Sequence, residues 1–106
     1  MGITKTNLFT HEQNQFAKLA KVFSHPARVA IIQYLVECNV CINNDLVEEL
    51  GLAQATISQH LRELKEVGLI QGTIEGTSMN YCIDPTVWNE TQKTFAQLFK
   101  SYTNCC

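Results

Sequence analysis

The residues best suited to recognition chemistry are concentrated in one short run: Gln54, Ala55, Thr56, Ser58, Gln59, His60 and Arg62. Base-pair edges in the major groove of duplex DNA offer hydrogen-bond donors, acceptors and thymine methyls. Gln pairs with adenine, Arg with guanine or phosphate, and Thr or Ala touches the thymine methyl. Thr77, Ser78 and Asn80 form a second polar group able to donate to phosphate oxygens. His60 reads as a packed or phosphate-contacting residue rather than a ligand. The third set is sulfur: Cys38-x-x-Cys41, Cys82, and Cys105–Cys106. Thiolates bind As(III), Cu(I), Cd(II) or Zn(II), so Cys38, Cys41, Cys105 and Cys106 are candidates for a thiol sensor, of a metal or of a redox agent. The opposing reading is inert sulfur. A lone C-x-x-C without a second pair is a weak zinc signal, and vicinal cysteines at a terminus need do nothing. Cys82, on a strand, reads as a small packed hydrophobe.

The elements that must position these groups follow from periodicity. With Ile57 on the buried side of a helix over about 54–67, Leu61 and Leu64 fall within about 40° of it, a narrow apolar stripe. Ala55, Gln59 and Arg62 then point the opposite way, with Thr56 and Ser58 on the flanks. Glu63 and Glu66 also lie outward, but in the C-terminal half, which a helix entering the groove by its N-terminal end keeps away from phosphate. Asn44 is a suitable N-cap for a short helix from Asp45 to Leu50, and Gly51 a suitable terminator. Short helix, tight turn and helix make a helix-turn-helix. Leu69 to Glu75 and Ser78 to Ile83, around Gly76-Thr77, read as a hairpin, the wing.

Phe16, Leu19, Ala20 and Phe23 recur at helical spacing, predicting a first helix over about 10–23. Ser24 is expected to cap a second helix, opened by Pro26 and running to about Glu37 with Val29, Ile32, Leu35 and Val36 apolar. After Asp84-Pro85 a last helix, about Thr86 to Tyr102, gathers Val87, Trp88, Phe95, Leu98, Phe99 and Tyr102. The expectation is a mainly α winged helix-turn-helix of about five helices with a small β-hairpin, one domain over residues 1–106.

Composition bounds the function. The chain has 106 residues, 45% hydrophobic and 17% charged, too apolar for a disordered segment. No signal peptide is visible, and no stretch approaches the ~20 apolar residues that cross a bilayer. The expected location is cytoplasmic, with no membrane partner and with reduced thiols. The net charge of −2 counts against nucleic-acid binding, which draws affinity from cations on phosphate. Net charge describes the whole molecule, however, and a dimer can gather its cations on one face.

HPARVAIIQYL, then DLVEELGLAQATISQHLRELKEVGLI, then NYCID closing the hairpin, resemble the ArsR/SmtB family of winged-helix metalloregulators. The resemblance covers about Phe16 to Tyr102. It implies a homodimer through the first and last helices, two recognition helices on successive major grooves of a palindromic operator, and a repressor released by a metal, metalloid or reactive sulfur species. The many aromatic residues of both terminal helices agree with such a dimer. The family's zinc-type site on the last helix is not retained: Asp84 is present, but Thr86, Gln97 and Lys100 fill the other matching positions. Its thiolate-type C-V-C-D run has only the differently spaced Cys38 and Cys41 as counterpart. In its dithiol sensors the first cysteine lies nearer Gln33. Related wings often carry Arg or Lys at the tip, whereas this one has Glu75 and no cation, implying modest affinity and a shallow salt dependence. No cofactor is implied beyond a thiolate-bound metal or metalloid. The rival function is a winged-helix module that binds protein and little DNA. A thiol oxidoreductase on Cys38-x-x-Cys41 lacks the βαβ setting that chemistry expects, and no acid–base pair points to an enzyme.

Overall fold

Thr10 opens the first helix by a reciprocal cap. Its hydroxyl accepts the Gln13 backbone N–H at 3.0 Å while the Gln13 side-chain Oε1 accepts the Thr10 N–H at 2.9 Å, so two otherwise orphaned donors are satisfied. The computed structural model describes residues 8–38, 49–73 and 80–104. It places α1 at His11–Val22, α2 at Pro26–Cys38, α3 at Gln54–Glu66 and α4 at Pro85–Lys100, with strands β1 at Ile70–Thr73 and β2 at Asn80–Ile83. Residues 49 and 50 are helical, and Gly51 follows at φ 70°. The rest of the short helix expected from Asp45 lies outside the described residues. The architecture is thus the expected one, helices with a small antiparallel hairpin.

Ser24 does not cap α2 as its type suggests. Its hydroxyl donates 2.7 Å back to the Lys21 carbonyl and closes α1. The capping acceptor is His25, whose Nδ1 takes the Ala27 N–H at 3.0 Å, with Pro26 in the first turn where its missing N–H costs nothing. Within α2 the buried residues are Arg28, Ile31, Ile32 and Leu35, while Val36, expected inside, is exposed.

α3 has no side-chain cap at Ala53, so packing rather than capping holds its start. Its end is closed by two backbone bonds: Gly68 N–H to Lys65 C=O and Leu69 N–H to Leu64 C=O. That pairing needs a left-handed residue after the helix, supplied by Gly68 at φ 88°. The chain enters the hairpin directly, with Ile70 opposite Ile83 and Gly72 opposite Tyr81. Asp84 ends it: its N–H donates to the Leu69 carbonyl at 2.9 Å, and its Oδ1 accepts from the N–H groups of Thr86 and Val87 to cap α4. The last helix therefore begins at Pro85 and ends at Lys100, leaving Tyr102 beyond it and exposed.

The core sits where α2, α3 and the hairpin meet, with Ile31, Leu35, Ile57, Leu61, Leu64, Leu69 and Tyr81 almost fully buried. α1 and α4 pack beside it, Phe16 stacking on Phe95 at 4.5 Å between ring centroids. No described helix is long and apolar enough to cross a membrane.

Gly72 has φ 125°, and a Cβ there would strike the Asn80 carbonyl oxygen and the Tyr81 Cα, both backbone. Gly72→Ala should therefore force β1 and β2 apart, lowering stability by about 1–3 kcal/mol in urea unfolding.

Candidate nucleic-acid interface

Burial divides the residues singled out from the sequence. Gln54, Ala55, Thr56, Gln59 and Arg62 are exposed, and Ala55, Gln59 and Arg62 share one side of α3. Ser58 and His60 are buried at 7% and 9% exposure and leave the outward set. The sequence stripe was too narrow: α3 buries Ile57, Ser58, His60, Leu61 and Leu64, because α2 and the hairpin pack on it from different directions. On the hairpin, Asn80 is exposed, while Thr77 and Ser78 lie outside the described residues.

Arg28 and Glu63 form a polar seam that sequence reasoning missed. The guanidinium, 9% exposed on the inner face of α2, donates from Nη1 to Glu63 Oε1 at 2.6 Å. The other carboxylate oxygen accepts from Gln59 Nε2 at 3.3 Å. Glu63 is thus a bridge from the buried arginine to the outward amide. The hydrogen bond from Gln59 and then the positive charge of Arg28 hold its carboxyl below the ordinary carboxylate value. The available signal was Arg28 itself, a cation three residues from His25 at the start of an otherwise apolar helix. Lys65 was also missed: its ammonium donates to the Gly72 carbonyl and brings a cation beside β1.

His60 packs against His25 with ring centroids 4.5 Å apart, and its buried Nδ1 has no hydrogen-bond partner among the described residues. Burial first, then the nearby His25 and Arg28, push its pKa below the ordinary 6.5, against an opposing pull from Glu63. The neutral imidazole is the form this site accepts.

Among the described residues, the groups that could hold a metal are not gathered. Asp84 has Oδ1 engaged in the cap of α4, and no cluster of three His, Cys, Asp or Glu suited to a metal occurs among the described residues. Cys38 is a free, half-buried thiol against the core. Cys82 is not merely a packed hydrophobe: it is half-buried and disulfide-bonded. A sulfur so bonded is no thiolate ligand. Cys41, Cys105 and Cys106 also lie outside the described residues.

Residues 25–71, from the cap of α2 to β1, match the model of bacterial regulatory proteins of the arsR family. The chain is 33% identical over 67 residues to an HTH-type transcriptional regulator of Mycobacterium tuberculosis, covering 63% of this chain and 59% of that one. It is 36% identical over 58 residues to the biofilm growth-associated repressor of Xylella fastidiosa, covering 55% and 50%. The chain thus spans between half and three-fifths of the length of these two relatives. Among solved structures, it is similar to the cadmium metal-sensor CMTR of Mycobacterium tuberculosis, with TM-score 0.53 and 31% identity over 69% of this chain and 75% of that one.

The histidine and carboxylate shifts share one sign. With the folded pKa of His60 below 6.5, its contribution is fully present above 6.5 and is lost as pH falls from there through the folded value. The Glu63 contribution is present above 4.5 and is lost further into acid. Thermal unfolding followed against pH should show stability declining as pH drops below 6.5, and His60→Gln should flatten that first limb while leaving the more acidic one.

Proposed function

Because the chain belongs to the arsR family of bacterial regulatory proteins, we propose that it is a transcriptional repressor that binds a palindromic operator as a homodimer. The observation that carries this reading is the pose of α3, buried along Ile57, Leu61 and Leu64 with Ala55, Gln59 and Arg62 facing outward. In the proposed complex the leading turns of α3 meet base edges while β1, Lys65 and Asn80 lie along the backbone. With few cations on this surface, the salt dependence should be shallow.

The second copy seats on the face of α1 and α4. An open apolar groove lined by Phe23, Trp88, Thr91, Gln92 and Phe95 lies there. Beyond it, Leu98, Phe99 and Tyr102 are 53%, 72% and 73% exposed. A repeat of this same face covers both at once, which is the self-complementarity of a two-fold interface. It also sets two copies of α3 for half-sites about one DNA turn, or 34–36 Å, apart.

Control by thiol chemistry is the second reading, favoured by the disulfide at Cys82. Thiols suit two inducer classes, a thiophilic metal or metalloid and a thiol oxidant such as a persulfide or peroxide, and the disulfide favours the oxidant. That agent takes up the two electrons that two thiols lose with their protons on forming the bond. β2 carries Cys82 next to Tyr81 in the core and two residues before the cap of α4, so the bond bears on both the hairpin and the dimer helix.

Duplexes selected from a random pool, titrated by fluorescence anisotropy, should be bound with sequence preference by the parent. Arg62→Ala should weaken binding roughly tenfold, and Phe99→Glu should shift sedimentation to monomer and weaken binding further. Absence of sequence-selective binding by a folded parent would defeat the proposal. The same titration run with and without reductant should differ for the parent and coincide for Cys82→Ser; coincidence in both would end the thiol reading.

A further inference from the structure

Resting on that DNA-binding reading, we infer that Glu63, anchored by Arg28, is a positioning residue that presents Gln59 to the groove as a reader of adenine. An unrestrained glutamine amide turns over readily, exchanging its oxygen and nitrogen, and so offers either face to its surroundings. Here the neighbour one helical turn along is a carboxylate, which only accepts. Gln59 must therefore turn its nitrogen, not its oxygen, toward Glu63, as the 3.3 Å contact shows. The reverse orientation would set the amide oxygen against a carboxylate oxygen.

An amide nitrogen carries two hydrogens. Donating the one that points away from the carbonyl leaves the other beside Oε1, so the free edge of Gln59 is one donor next to one acceptor. Adenine presents the complement in the major groove, N7 as acceptor and the N6 amino group as donor. Guanine offers two acceptors there and cytosine an amino donor, so neither satisfies both atoms.

The restraint is only as firm as Glu63, and both its oxygens are committed. Oε2 takes Gln59, and Oε1 takes Arg28 at 2.6 Å. Arg28 is buried on α2, 35 positions away in the chain, so the anchor belongs to the protein interior rather than to the exposed surface of α3. Its charge also offsets that of Glu63, which would otherwise repel the phosphates beside the groove. Glu63 remains ionised through neutral pH, as its lowered pKa requires, so the acceptor-only character persists under binding conditions.

The test measures base preference, which a merely structural role would not move. Binding sites are selected with the full chain, and each base pair of the selected half-site is then replaced in turn. Competition titrations compare the parent with Gln59→Ala, Glu63→Gln, Glu63→Ala and the double variant Gln59→Ala/Glu63→Ala, with circular dichroism melts confirming that each is folded at the assay temperature. The parent should favour A·T at one pair per half-site by about tenfold, and Gln59→Ala should reduce that to about twofold. Glu63→Gln can accept or donate toward Gln59, so the preference at that pair should fall to about threefold. Glu63→Ala should act likewise, and the double variant should lose no more discrimination than Gln59→Ala alone. Full preference retained by folded Glu63→Gln, or a Gln59-dependent pair that favours guanine or cytosine, would overturn the inference. A parent that selects a sequence with no Gln59-dependent pair overturns it alone. A parent that selects no sequence overturns the regulator reading as well.

Discussion

A guanidinium inside an apolar helix face cannot stay without a counter-charge, because desolvating it alone costs more than the packing around it returns. Arg28 stands among Ile31, Ile32 and Leu35 on the inner side of α2, and the chain meets this constraint with Glu63 from α3. One geometric consequence follows. The carboxylate must sit over the arginine, so the rotation of α3 about its own axis is fixed relative to α2. Leucine and isoleucine burial would tolerate a range of rotations; a 2.6 Å contact between two specific atoms does not. With Glu63 37% exposed, water screens one side of the pair, and its value lies in orientation more than in net stability. What faces away from the core is thereby fixed too: Ala55, Gln59 and Arg62.

The same pair bears on the charge problem. An excess of two negative charges looks unpromising for a partner made of phosphate. The distribution is more favourable than the sum. Glu63, beside the outward Gln59, is matched by Arg28, while Arg62 remains exposed, Lys65 is turned onto the hairpin at Gly72, and the exposed Glu66 lies in the last turn of α3. A surface of this kind offers positioned polar contacts rather than a broad cationic field.

Local chemistry was legible in the sequence, and non-local chemistry was not. Gly51 and Gly68 mark turns because only glycine takes their left-handed backbone without cost. Asp84-Pro85 starts a helix because one residue caps and the other suits the first turn. The outward face of α3 followed from period alone. Errors arose where a residue answers to something distant. Periodicity set Ser58 on a flank and His60 as either packed or phosphate-contacting, but packing by both α2 and β1 widens the buried arc to include both. Ser24 looked like the cap of α2 by type, yet its hydroxyl finds Lys21 first and leaves the role to an imidazole. Glu63 was read as an outward charge because its partner lies 35 residues earlier. Cys82 looked like a packed hydrophobe for the same reason: spacing does not disclose a cysteine's partner.

The route between the apolar face of α1 and α4 and the outward face of α3 is short, and it runs through the joint where α3 ends. Leu69 donates its N–H to Leu64 at the close of α3 and accepts at its carbonyl from Asp84, the residue that caps α4. The Val87 side chain lies 3.4 Å from the point where a Cβ on Gly68 would stand, so the first turn of α4 rests directly on the end of α3. A shift of α4 therefore cannot leave α3 and the hairpin unmoved: its cap, its first turn and the end of β2 share the same few residues. Arg28 and Glu63 oppose such movement from the other side by holding α3 to α2. A turn of α4 can thus change the angle between α3 and the hairpin while the buried pair survives. The joint at Gly68 and Asp84, rather than the seam with α2, is the place where such a movement has the least to break.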